Sequence, residues 1–185
     1  MGVAKPLDLP FDPIARAAQI WRRRFGPSDA MAAVTSIMRA QQILLAELDG
    51  VLRPHGLTFA RYEALVLLTF SRAGALPLGV IGQRLMVHPT SVTNIIDRLE
   101  QQGLVTRQPN PADGRGKLAA ITEQGRAVAG GATADLMATR FGMGGYGAGE
   151  LGQLFRLLRG LRVTAGDFPA GAGAGAPGEG RRVTT

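Results

Sequence analysis

Apolar positions recur at helical spacing through most of the chain. Ile14, Ala17, Ala18, Trp21 and Phe25 follow an Asp12 and Pro13 pair that offers an N-cap and a first-turn proline, and Gly26 and Pro27 end the helix they predict. A longer helix opens at Ser28, carries a stripe of Val34, Ile37, Met38, Gln41, Leu45, Leu48 and Leu52, and closes before Pro54. Thr58 caps a third helix running to about Arg72. Its run of Leu65, Val66, Leu67 and Leu68 predicts burial around most of its circumference, which makes it the core helix.

After Ala73 to Pro77 the pattern gives a short helix with Leu78, Ile81 and Leu85 on one face. A break at Met86, Val87 and His88 follows, then a helix opened by Pro89. In this second helix Val92, Ile95, Ile96 and Leu99 share a stripe, while Thr90, Ser91, Thr93, Asn94, Asp97, Arg98 and Gln101 fill the other side. Gly103 occupies the left-handed position beyond the helix end, with Leu104 as its apolar partner. Leu104 to Gln108 reads as a strand, Pro109 to Lys117 as a loop of turn formers and Leu118 to Ile121 as a returning strand. Thr122 caps a helix to about Arg140, softened in its middle by Gly130 and Gly131. A glycine-rich break from Gly142 to Gly149 precedes a last helix, with Leu151, Leu154, Phe155, Leu158 and Leu161 in register. From Gly166 the chain is Gly, Ala and Pro, too poor in apolar side chains to offset the entropy of ordering. The organisation read from this is an extension over 1–27, one domain over 28–165 and a disordered tail over 166–185.

Composition narrows the chemistry. The formal charge is +7, and the 21 basic residues include only two lysines, Lys5 and Lys117. Nearly every cation is therefore a guanidinium suited to bidentate contacts, and a polyanion is the natural class of partner. Cysteine is absent, which excludes disulfides, thiolate metal sites and thiol-based sensing. With only His55 and His88 available, no metal site is expected, and no cofactor. No nucleophile elbow, phosphate-binding glycine loop or zinc-protease motif occurs, so an enzyme is not expected. No apolar run approaches a bilayer span and no secretory leader is recognisable, so a cytoplasmic protein without membrane contact is expected.

The order of elements is more specific than any one of them. A short helix, a three-residue turn, a helix with a polar face and a basic-tipped hairpin compose a helix-turn-helix followed by a wing. Such a helix enters the major groove of double-stranded DNA, and the hairpin reaches the minor groove or backbone. Thr90, Ser91, Thr93 and Asn94 are the candidates for base edges or phosphates, with Arg98 as a phosphate clamp and Asp97 as an acid pairing with a nearby cation. His88, just before the helix, is a candidate phosphate contact. Arg107 and Lys117 on the hairpin complete the set.

The stretch from Ile81 to Gly125 resembles the recognition helix and wing of the MarR family of regulators, and the likeness spans about Asp29 to Val163. Asp113 and Arg115 match that family's wing pattern, in which the acid holds the arginine for backbone or minor-groove contact. The resemblance implies a mainly α, winged helix-turn-helix fold and a homodimer built from the terminal helices. The dimerisation residues this implies here are Ile14, Ala17 and Trp21 of the first helix, Val34 of the second, and Leu151, Leu154, Phe155, Leu158 and Leu161 of the last. It also implies repression at a pseudo-palindromic operator, released by a small aromatic or anionic effector in a crevice beside the DNA-binding lobe. Trp21, His55, Arg61 and Tyr62 are the candidates for that crevice, since an aromatic wall beside a guanidinium suits a planar anion. The rival reading is a constitutive architectural DNA binder, which would show weak sequence dependence and no small-molecule response.

Overall fold

The structure, a computed structural model, describes residues 7–111 and 113–173, with backbone alone at 113–115. The chain falls into two compact units, residues 1–142 and 143–185.

The first unit contains α1 (Pro13–Arg24), α2 (Asp29–Leu52), a 3₁₀ turn at Arg53–His55, α3 (Phe59–Phe70), β1 (Ala75–Pro77), α4 (Leu78–Leu85), α5 (Pro89–Gln101), β2 (Val105–Asn110), β3 (Asp113–Ile121) and α6 (Glu123–Ala138). The caps explain several starts. Asp12 accepts from the N–H groups of Ile14 and Ala15, at 2.8 and 3.2 Å, and Thr122 accepts from Gly125 at 2.9 Å. Ser28 and Thr58 stand at cap positions but spend their hydroxyls on arginines, Ser28 on Arg22 and Thr58 on Arg61. After α5, Gly103 takes the left-handed conformation (φ 71°) and Leu104 N–H returns to Leu99 at 3.0 Å, the stop that the sequence predicts.

One core serves the whole unit. Leu52, Leu65, Leu68, Ile81, Ile96, Leu99 and Leu136 are fully buried, so α3 lies at the centre, with α2, α4, α5 and α6 packed around it. The helix α6 runs unbroken through Gly130 and Gly131, where the sequence predicts a soft middle. It ends in a turn at Arg140 and Phe141, both left-handed at φ 49° and 52°.

The sheet corrects the sequence reading twice. Ala75–Pro77, unassigned from sequence, is a strand: it pairs with β3 through Ala75↔Ala120 and Pro77↔Leu118. Three residues are too few to display an alternating pattern. The expected loop from Pro109 to Lys117 is mostly strand, since β2 reaches Asn110 and β3 starts at Asp113. Pro109, Pro111, Gly114 and Gly116 look like turn formers, yet the sheet order β1-β3-β2 leaves β2 at an edge, where a missing N–H is tolerated. Pro109 pairs with Lys117 and Asn110 with Asp113, the register shift between them absorbing the surplus residues in a bulge.

The second unit is built on α7 (Ala148–Thr164), whose first turn is closed by Glu150 accepting from Gly147 N–H at 2.8 Å. Of the tail expected to be disordered, residues 174–185 lie outside the described residues. The part up to Gly173 touches α7. Arg159 and Arg162 lie over the Phe168 ring at 5.0 and 5.4 Å, and Arg159 also donates to the carbonyl of Ala172. Among the described residues no helix is long and apolar enough to cross a membrane.

Candidate nucleic-acid interface

The two faces of α5 have separate tasks. Val92, Ile96 and Leu99 are buried against the core, which fixes the rotation of the helix and turns Thr90, Ser91, Thr93, Asn94 and Arg98 to solvent. Met86 in the left-handed conformation (φ 56°) makes the tight turn from α4, and Val87 N–H closes it on the Gly82 carbonyl at 3.0 Å. His88 caps α5: its ring nitrogen Nδ1 lies 3.3 Å from Thr90 N and 3.2 Å from Thr90 Oγ1. Thr93 Oγ1 donates to Pro89 O at 3.2 Å, and Arg98 donates to Gln101 Oε1 at 3.2 Å. Thr90, Thr93, Asn94, Asp97, Arg98 and Gln101 line a shallow groove of about 590 Å³ along the helix.

Asp97 pairs with a cation, as expected, and the cation is Arg107 of β2. The guanidinium lies 2.5 Å from Asp97 and also bonds Glu100, whose other oxygen accepts from Arg107 N–H at 3.2 Å. Burial works against the charge on Arg107, but hydrogen bonds and attraction from the two carboxylates outweigh it, and its pKa is raised. Arg107, which the sequence offers to DNA, thereby fastens the wing strand to α5. Lys117 is exposed on β3. Asp113 and Arg115 have their backbone at the start of β3, and their side chains lie outside the described residues.

The four residues assigned from sequence to an effector crevice are not brought together. Tyr62 alone lines a pocket of about 700 Å³ between α3 and α6, where its hydroxyl meets Thr133 Oγ1 at 3.0 Å. His55 is held by Asp135 at 2.7 Å, Trp21 packs on Phe25 with ring centroids 5.0 Å apart, and Arg61 turns towards α5. The pocket walls are Phe59, Val66, Leu67, Phe70 and Phe141, with Glu63 and Arg126 as its charged members. Sequence reasoning missed Glu63, although an acid inside so apolar a helix is a readable signal.

Partial desolvation raises the Glu63 carboxyl above its ordinary pKa of 4.5. The folded state then holds that proton more tightly than the unfolded chain does. Its penalty is absent below about pH 4.5 and grows as pH rises through the raised value. Glu63→Gln is expected to raise the melting temperature at neutral pH and to leave it unchanged at pH 4. A difference independent of pH would refute the assignment.

A family model described as the MarR family matches residues 55–116. The solved structure of Sco5413, a MarR family transcriptional regulator from Streptomyces coelicolor, is 65% identical with a TM-score of 0.70. The match covers 75% of this chain and 96% of that one. The chain belongs to the MarR family. The HTH-type transcriptional regulator MhqR of Bacillus subtilis (strain 168) is 33% identical over 89 residues, which are 48% of this chain and 60% of MhqR. The chain thus spans less than two thirds of that relative's length. CouR from Rhodococcus jostii RHA1, solved bound to p-coumaroyl-CoA, is 26% identical with a TM-score of 0.62, over 78% of this chain and 96% of its own.

Within this MarR-family chain the matched residues run from His55 through α3, α4, α5 and β2 into β3. They contain the whole of α5 and its Arg107 fastening.

Proposed function

We propose that the chain is a sequence-specific, double-stranded-DNA-binding transcriptional regulator of the cytoplasm, not an enzyme, that represses as a homodimer and is released by a small aromatic or anionic effector. The observation that carries this reading is α5, an amphipathic helix with a buried apolar face. Its solvent face of hydroxyls, two amides and one guanidinium stands beside a wing. His88, Thr90, Ser91, Thr93, Asn94 and Arg98 from the helix, with Asp113, Arg115 and Lys117 from the wing, form the proposed contact set. Dimerisation is supported by apolar side chains left exposed in each unit, among them Trp21 and Val34 in the first and Leu154, Phe155 and Leu161 in the second. The pocket between α3 and α6 is the proposed effector site, its aromatic wall suiting a planar ligand; the p-coumaroyl-CoA bound to CouR carries such a ring.

The test is fluorescence anisotropy with the DNA upstream of the protein's own gene against an unrelated duplex, at about 0.15 M salt. A specific regulator is expected to prefer the former by about a thousandfold or more. Asn94→Ala is expected to relax base preference at one position per half-site, by about 1–3 kcal/mol for a bidentate contact. Equal affinity for both duplexes would overturn sequence-specific regulation at that DNA.

A further inference from the structure

A second basic concavity lies beside the recognition groove. Thr58, Arg61, Asn94, Ile95 and Arg98 line a hollow of about 470 Å³ where the start of α3 meets α5. Arg61 is held in place there by neutral acceptors: Nε donates to Thr58 Oγ1 and Nη1 to the Gly56 carbonyl, both at 3.2 Å. The same carbonyl accepts from Gln102 Nε2 at 2.9 Å, which ties the Gly56 turn to the end of α5. Arg98 is likewise bonded to a neutral partner, Gln101. Among the described residues neither arginine meets a carboxylate. Asp49 of α2 accepts from Phe59 N–H, at the start of α3, at 2.7 Å and does not line the hollow.

Two guanidiniums that share a hollow without a counter-charge repel each other, and an anion seated between them removes that cost. Asn94 and Arg98 also line the groove along α5, so the hollow opens onto the same face. We infer that Arg61 and Arg98 together form a phosphate site that grips one DNA backbone phosphodiester beside the recognition helix. The inference rests on the DNA-binding reading and adds α3 to the interface, as a contact that fixes the angle of α5 in the groove without reading sequence.

Because such a contact ignores sequence, a random-sequence duplex serves as probe. Affinity is measured against salt concentration for the full chain, Arg61→Ala and Arg61→Lys. The expected result is that Arg61→Ala weakens binding about tenfold and lowers the slope of log affinity on log salt by about one, whereas Arg61→Lys keeps the wild-type slope. The lysine variant guards against misfolding as the cause, since it keeps the charge while losing both hydrogen bonds at the start of α3. A steep wild-type slope unchanged in both variants would overturn the site and leave DNA binding standing. A wild-type chain that fails to bind the duplex overturns both. Thermal stabilisation by inorganic phosphate that vanishes in Arg61→Ala, with the DNA slope unchanged, would reassign the hollow to a free phosphate ligand and overturn the backbone contact.

Discussion

Gly125→Ala is expected to destabilise the protein by roughly 1–3 kcal/mol or more, although the substitution places a better helix former in a helix. Gly125 lies in the first turn of α6, and a Cβ there would stand 2.1 Å from the Leu104 carbonyl oxygen and 2.9 Å from Ile121 Cγ1. The oxygen cannot recede cheaply. It accepts from Thr122 N–H at 3.1 Å, and Leu104 N–H is bonded to Leu99. The end of α5, both wing strands and the start of α6 are thus pinned at one point, where only a hydrogen fits. Gly130 supplies the contrast, since nothing lies within 4 Å of a Cβ added there. Gly130→Ala should stabilise by about 0.5–1 kcal/mol. Urea denaturation of the two variants checks the pair, and stabilisation by both would show that the Leu104 contact is not a constraint.

Ile96→Ala is expected to cost about 2–5 kcal/mol, from lost burial and from the cavity left behind. Ile96 is fully buried, and its helix packs on α3, α4 and β2, so a collapse around the gap must move one of these. Ile96→Val removes a single methylene and should cost about 0.5–1.5 kcal/mol. The truncation should also weaken DNA binding, because the core-facing stripe is what holds the polar face of α5 in place. A midpoint shift in urea no larger for alanine than for valine would mean that Ile96 does not anchor the helix.

The sequence predicts all seven helices to within a few residues, because each carries its own periodic stripe and most carry a local start or stop signal. The wing was legible as a hairpin but too short, since residue type hides strand where proline and glycine sit on an edge. The solvent-facing polar residues of α5 could be read from the helix itself. The pocket could not, because periodicity tells which face of a helix is polar and not which neighbour that face meets. Arg61 and Tyr62 are adjacent in sequence, and the structure sends one to α5 and the other to α6. Arg107 illustrates the same limit: the sequence marks it as a basic residue on a wing, and only the fold shows that it meets Asp97 and Glu100.

That fastening bears on how much of the chain is portable. Taken alone, α5 holds Asp97 and Glu100 against the single cation Arg98, so the proposed recognition helix is a net anion. Arg107 brings the balance to neutral from a different element, and does so at the surface proposed to approach phosphates. A chimera that received α5 without β2 would place an acidic helix against DNA and lose affinity whatever bases its side chains could read. The transferable unit of the proposed reading head ends no earlier than Arg107.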